Sequence, residues 1–260
     1  MTGVDGCRGG WVAVDLDDDG VLAGIRVGPA LDGLLAGAAD GQVVGVDMPL
    51  GLLAEGWRTA DRDARALLGA RRSSVFAIPP GPVWDELTYP AANQRCRALT
   101  GNGLSAQAWG LRRKLLEANA YRRRSPHRLH EVHPELSFSA MAGAPLRHPK
   151  RLPAGAGERR AVLAAAGIVI PPDGPWSRVA ADVLDAAAVA WTARRIAAGQ
   201  ARIIPDPPQA DAHGYEIAIR YLRAGNVPGW GLTRARGTLS GRPIGAGGRS
   251  GMAVKEPAMT

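Results

Sequence analysis

Carboxylates occupy points along this chain where apolar side chains would be expected. Asp5 closes the segment Gly3-Val4-Asp5, and Asp47 ends the apolar run Val43-Val44-Gly45-Val46-Asp47. Glu131 and Glu135 flank His133 in Leu129-His130-Glu131-Val132-His133-Pro134-Glu135, and Asp182 and Asp185 interrupt the alanine-rich stretch from Val179 to Ala198. An ionised carboxylate inside an apolar element is costly unless something neutralises it. Several of them without adjacent basic partners point to convergence on a cation. Hard oxygen donors of this kind suit magnesium or manganese. Two such ions about 3.5–4 Å apart activate a water and stabilise the leaving oxygen in phosphodiester hydrolysis.

Each acid also has a structural role to be weighed. Asp182 and Asp185 stand three apart at the start of a helix, where they share a face but also serve as cap or dipole partners. Asp5 and Asp47 precede turn-forming residues. If Leu129–Glu135 is a strand, Glu131, His133 and Glu135 alternate onto one side of it, as a site or as an exposed edge face. It is the co-occurrence of all these acids that favours a site. Arg71, Arg72, Ser73 and Ser74 add charged forks and hydroxyls suited to a phosphate, on a loop bounded by prolines. Lys114, on a long helix, could reach the same place. Against this, arginine pervades the chain, and a basic stretch is often a solvated face. A Cys7–His133 nucleophilic pair is the lesser reading, because a free cysteine is usually a small packed hydrophobe. No Gly-Lys-Ser/Thr phosphate loop occurs, and the glycines near the start are followed by a strand rather than the helix of a dinucleotide fold.

The elements that must position these residues read as follows. Strands are expected at 3–5 and 11–16, then across the turn Asp17-Asp18-Asp19-Gly20 at 21–27, with a short helix at 31–39 and a buried, parallel-type strand at 42–47. Helices follow at 59–68, stopped by Gly69, and at 105–124, capped by Ser105. A strand at 129–135, helices at 158–166 and 181–198, a short strand at 203–204 and a last element at 215–221 complete the series. Beyond Ala224 the Gly, Arg, Pro and Ser content predicts a disordered tail over 224–260.

The net charge of +8 suggests an anionic partner. Five basic residues against the single acid Glu256 lie beyond Ala224, however, so the body of the chain is only mildly basic. Two distant cysteines exclude a disulfide scaffold or zinc ribbon and fit a reducing compartment. An acid at position 5 does not read as a signal peptide, and no uncharged run approaches the roughly 18 residues of a membrane span. The expectation is a cytoplasmic protein without a membrane partner.

Several segments in order resemble the domain of unknown function 429 family, whose members are predicted nucleases with a ribonuclease H-like fold. They are Gly3–Val14, Val46–Leu52, Arg71–Phe76, Leu104–Trp109, Glu131–Glu135 and Asp182–Ala186, and the resemblance spans roughly residues 3–221. It implies a mixed five-stranded α/β sheet flanked by helices, its first three strands antiparallel, forming one domain over 1–223 with a helical insertion at about 55–126. It also implies that Asp5, Asp47 and Asp185 gather Mg2+ or Mn2+, with Asp182 one turn before. Asp182 and Glu135 would complete the shell or orient water, and His133 or Glu131 would assist proton transfer; which of Glu131 and Glu135 belongs to the family's set is left open by the sequence. The substrate would be nucleic acid or another phosphate-bearing molecule. Two other readings stand beside it: a non-catalytic nucleic-acid-binding or scaffold protein on the same core, and a phosphotransferase related to actin-like kinases.

Overall fold

The computed structural model describes residues 1–125 and 128–223; the predicted tail lies outside the described residues. The chain opens with a meander of three strands, β1 (Thr2–Cys7), β2 (Gly10–Leu16) and β3 (Leu22–Gly28), followed by the short helix α1 (Leu31–Leu35) and the strand β4 (Val43–Asp47). The turn between β2 and β3 closes because the Asp17 carboxylate accepts the Val21 N–H at 2.8 Å while Gly20 adopts a positive φ of 87°. Four helices then separate β4 from the next strand: α2 (Thr59–Leu68), α3 (Tyr89–Thr100), α4 (Ala106–Gly110) and α5 (Arg112–Arg124). Strand β5 (Arg128–Val132) leads into α6 (Pro134–Ala142), α7 (Pro153–Ala165) and α8 (Ala180–Ala197), and β6 (Arg202–Ala210) and β7 (Glu216–Tyr221) follow.

All strands join one sheet in the order β3-β2-β1-β4-β5-β7-β6. β1 runs parallel to β4, β4 to β5 and β5 to β7, whereas β2, β3 and β6 pair antiparallel. The fold is thus mixed α/β as expected, but the sheet has seven strands rather than five. Beyond the short strand read at 203–204, β6 continues to Ala210 and pairs with β7 at its edge. Its prolines at 205, 207 and 208 are tolerated there because an edge strand need not donate on both sides.

Three further expectations are corrected. Chain 129–135 is not one strand: β5 stops at Val132, and Pro134 opens α6, its fixed φ being suited to a first helical turn. The helix read at 105–124 is two, divided at Gly110 and Leu111, where a glycine weakens the ladder and Leu111 N–H turns back to Ala108 O at 3.0 Å. Helix α3 had no counterpart in the sequence reading, although Thr88 caps it, Pro90 sits in its first turn and Gly101 ends it at φ 72°.

One face of the sheet buries Val4, Trp11, Ala13, Val44 and Val46 with Leu115 and Tyr121 of α5; the other buries Val12 and Val14 under α8. Helix α8 lies unusually near the strands. Strands β1 and β4 both read Gly-Val-Asp and pair in register, Gly3 opposite Gly45 and Asp5 opposite Asp47. Alternation turns both glycines and both aspartates toward α8, and the valines toward the opposite core. A Cβ on Gly3 would lie 2.1 Å from Ala190 N and 2.2 Å from Ala186 O. On Gly45 it would lie 2.8 Å from Val189 Cγ1. Helix backbone at Gly3, and the Val189 side chain at Gly45, occupy the space that any other residue would need. Gly3→Ala should therefore push α8 off the sheet and destabilise the chain by about 1–3 kcal/mol, measured by urea denaturation against wild type.

Candidate functional site

The two Gly-Val-Asp segments end at the C-terminal edge of the parallel strands, where an open α/β sheet usually receives its ligand. Asp5 and Asp47 are adjacent there, since neighbouring strands lie about 4.8 Å apart. Asp185 descends onto them from α8, one residue before the Ala186 carbonyl that packs on Gly3. Asp5 is only 5% exposed and Asp185 only 2%. Among the described residues, no hydrogen bond or ion pair reaches the carboxylate of Asp5 or of Asp47. Asp185 is better supplied: Lys150 Nζ donates to its Oδ2 at 2.6 Å, and Arg159 Nε lies 3.9 Å from its Oδ1.

The electrostatics follow from that imbalance. Burial pushes the Asp5 carboxyl well above the usual range, and Asp47 and Asp185 push it further, against an opposing pull from Lys150. Burial, then Asp185, raises Asp47 to about 8 despite Lys150. Asp182, at the rim, is raised by burial too. Burial works to lower the Lys150 ammonium, but its bond to Asp185 and the nearby Asp5 and Asp47 hold it above its ordinary value. Cations or protons must relieve this cluster.

The acids open into a cleft of about 890 Å³. Lys114, Lys150, Arg65 and Arg151 bring positive charge to its walls, and Ser73, Ser105 and Gln107 bring neutral polar groups. Met48, Pro49, Phe76 and Leu111 supply apolar surface.

The structure sorts the other expected site residues. Glu131 stands in register with Val46, so it faces the opposite side of the sheet from Asp5 and Asp47. There it accepts Arg58 Nη2 at 2.5 Å and the Leu50 N–H at 2.7 Å. Burial raises its carboxyl to about 7, and Arg58 works against that. Arg58 also lies 3.6 Å from Asp61, which accepts the Ile78 N–H. Glu131 is therefore one member of a buried network that ties the Leu50 turn to α2 and the 70–80 loop. Glu135 belongs to the first turn of α6, not to a strand face, and pairs with the buried Arg159. His133 lines the cleft at the N-cap of α6, its Nε2 3.3 Å from Ser74 O, and burial lowers its pKa. The proposed common strand face of these three residues is not formed, because the chain turns at Pro134.

Of the phosphate-binding candidates, Arg71 lines the cleft but spends its guanidinium on Leu146 O, at 2.8 and 3.2 Å. Arg72 is exposed and is not part of the cleft wall. Ser73 and Ser74 line it, although Ser74 Oγ donates to Arg71 O within its own 3-10 turn. Lys114 lines the cleft, packs its stem over Gly6 and donates to Cys7 O at 2.8 Å. Cys7 itself is buried and its thiol is pushed up by that burial, opposite to what a nucleophile needs.

Sequence reasoning missed Lys150, Arg159 and Arg58. Lys150 sits in an irregular loop between α6 and α7, and nothing in local spacing links it to Asp185. One compositional signal was available: the chain holds 29 arginines and only three lysines.

The residues suit a hard divalent ion in chemistry. Among the described residues Asp5 is a buried carboxyl group with no hydrogen-bond donor, beside two more carboxyl groups, and such oxygens are what Mg2+ and Mn2+ select. Among the described residues, no three acidic, imidazole or thiol side chains stand close enough to enclose an ion as they are. The ammonium of Lys150 lies among them instead. Also among the described residues, no helix is long and apolar enough to cross a membrane.

The family described as protein of unknown function (DUF429) matches residues 3–210, and the chain belongs to it. No curated protein and no solved structure matches the chain.

Two outcomes are expected. Asp47 keeps its proton to about 8 in the folded chain against an ordinary 3.8. The folded state then binds more protons than the unfolded one, so stability falls as pH rises from about 4 toward 8. Asp47→Asn should flatten that decline in metal-free buffer, each kcal/mol recovered at pH 8 raising Tm by about 2–4 °C. Arg58→Met should cost about 3–5 kcal/mol in urea denaturation, because Glu131 is left buried without its cation, and adding Glu131→Gln should recover part of the loss.

Proposed function

We propose that this DUF429 protein hydrolyses phosphodiester bonds in a metal-dependent manner, using acids arranged as in ribonuclease H-like nucleases. The observation that carries the reading is the Asp5 carboxylate, 5% exposed, lining the cleft and without a hydrogen-bond donor among the described residues. Its neighbours on β4 and α8 are also aspartates. The sheet order supports the fold part of the reading, with three antiparallel strands followed by parallel β4 and β5.

In this reading Asp5, Asp47 and Asp185 hold Mg2+ or Mn2+, and Asp182 adds charge at the rim. When bound, such an ion lowers the pKa of a coordinated water and offsets charge on phosphoryl oxygens. The chain's own groups bind and orient the substrate. Lys114, Lys150, Arg65 and Arg151 attract a phosphate into the cleft. Ser73, Ser105 and Gln107 offer hydrogen bonds along its walls. His133, kept neutral near pH 7 by burial, is the group placed to accept a proton.

The 2.6 Å contact between Lys150 and Asp185 favours a second reading, in which the ammonium neutralises the acids permanently and the protein only binds nucleic acid. Hydrolysis separates the two. Single-stranded and duplex DNA and RNA, with bis(p-nitrophenyl) phosphate as a small reporter, should be cleaved in Mn2+ or Mg2+. EDTA should stop the reaction and added metal restore it. Asp5→Asn should retain the far-ultraviolet circular dichroism of wild type and lose about 10²–10³-fold in rate. An inactive wild type that binds nucleic acid equally well in EDTA would establish the second reading instead.

A further inference from the structure

Both lysines among the described residues, Lys114 and Lys150, line the cleft, in a chain with 29 arginines and only one further lysine. The two cations differ physically. Guanidinium is a planar fork suited to fixed bidentate contacts, whereas an ammonium is a compact, strongly hydrated point charge on a flexible stem. An ammonium can therefore sit among carboxylate oxygens much as a metal ion does, and can leave them.

Lys150 is built to do so. Its side chain is 46% exposed while its partner Asp185 is 3% exposed, so one end of the pair reaches solvent. Its backbone, by contrast, is clamped. The Leu146 carbonyl accepts Arg71, and the Arg147 and His148 N–H groups both donate to Glu158 at 2.9 Å. The Pro149 carbonyl accepts the Leu152 N–H at 3.0 Å and abuts Gly155, where a Cβ would lie 2.0 Å from it. Only the four-carbon stem is left to move.

The second cation beside Asp185 cannot move in this way. Arg159 is 1% exposed, pairs with Glu135, donates to Gly155 O at 3.3 Å and lies 5.2 Å from the centre of the Phe138 ring. Of the two charges on Asp185, one is fixed and one is exchangeable.

We propose that Lys150 is an exchangeable internal cation: its ammonium occupies the acid cluster in the metal-free chain, and a divalent ion that takes Asp185 turns it into the cleft toward the substrate phosphate. This rests on the metal-dependent reading above. It makes Lys150 a positioning residue for the empty site and a phosphate-binding residue for the loaded one.

The test is amine acetylation with acetic anhydride, read by mass spectrometry at Lys150 and Lys114 in the wild-type chain with and without saturating Mn2+. It is run beside calorimetric Mn2+ titration of wild type, Lys150→Gln and Asp185→Asn. Mn2+ should speed Lys150 acetylation by about threefold or more, as expected when a ligand displaces a competing contact. Lys114, held by Cys7 O, should not change. Lys150→Gln should bind Mn2+ about tenfold more tightly than wild type, by removal of the competitor, and Asp185→Asn should bind it more weakly. Removing any nearby positive charge would also favour metal, so the labelling of the wild type decides. Unchanged or slower Lys150 acetylation in a chain that binds Mn2+ overturns the exchange and leaves the metal site standing. Failure of Mn2+ to bind either wild type or Lys150→Gln overturns the metal reading, and the exchange with it.

Discussion

Carboxyl groups held out of water, with too few donors to let them ionise freely, are the constraint around which this molecule is arranged. Asp5, Asp47 and Asp185 meet at one end of the sheet with a single lysine ammonium among them and an arginine one step behind. Such burial costs several kcal/mol per ion unless geometry compensates. The surrounding elements supply that geometry. Helix α8 rests on two glycines so that Asp185 can reach the strand ends, and α7 clamps the loop that delivers Lys150. Arg159 binds Glu135 of α6, the His148 carbonyl of the loop and Gly155 of its own helix. Because that one guanidinium serves three elements, the acid cluster and the helical layer beneath it form a single mechanical unit.

The arginines deserve to be separated by what they touch. Arg58 neutralises Glu131 and Asp61 inside the protein, Arg65 donates to Val75 O at 2.8 Å, and Arg71 holds Leu146 O. Arg65 and Arg71 line the cleft, yet each spends part of its charged fork on a carbonyl of the scaffold, and Arg58 is buried. A net charge of +8 therefore overstates the positive surface that a ligand would meet. The lysines are different in kind: both line the cleft, Lys114 held by the Cys7 carbonyl and Lys150 by the Asp185 carboxylate.

What was legible in the sequence was what short-range pattern encodes. The Asp-Asp-Asp-Gly turn between two apolar runs marks a hairpin, the run ending at Asp47 marks a buried strand, and alanines with acids three apart mark the face of α8. These patterns place Asp5, Asp47 and Asp185 correctly at strand ends and on a packed helix. Patterns of equal strength misled at 129–135, where alternation extends through His133 although Pro134 begins a helix. Glu131 lines the same cleft but comes to it from the other face of the sheet. Parity along a strand says which residues share a face but not which face meets which helix; its register with Val46 sets that. Lys150 was hidden for a different reason: it lies 35 residues from Asp185 in a loop with no periodicity, and only the folded chain brings them together.

The repeated Gly-Val-Asp also determines what kinds of change in the chain these strands can tolerate. In each strand three consecutive residues give, in turn, room for a helix, a side chain for the far core and a ligand for the near cleft. Substitution can adjust any one of these by degrees. An inserted or deleted residue cannot, because a shift of one reverses all three together. The aspartate would then turn to the side where Arg58 already has Glu131, and the valine would meet the backbone of α8. Length variation in this protein is therefore confined to the connections, and the spacing within β1 and β4 is fixed by the geometry of the pleat.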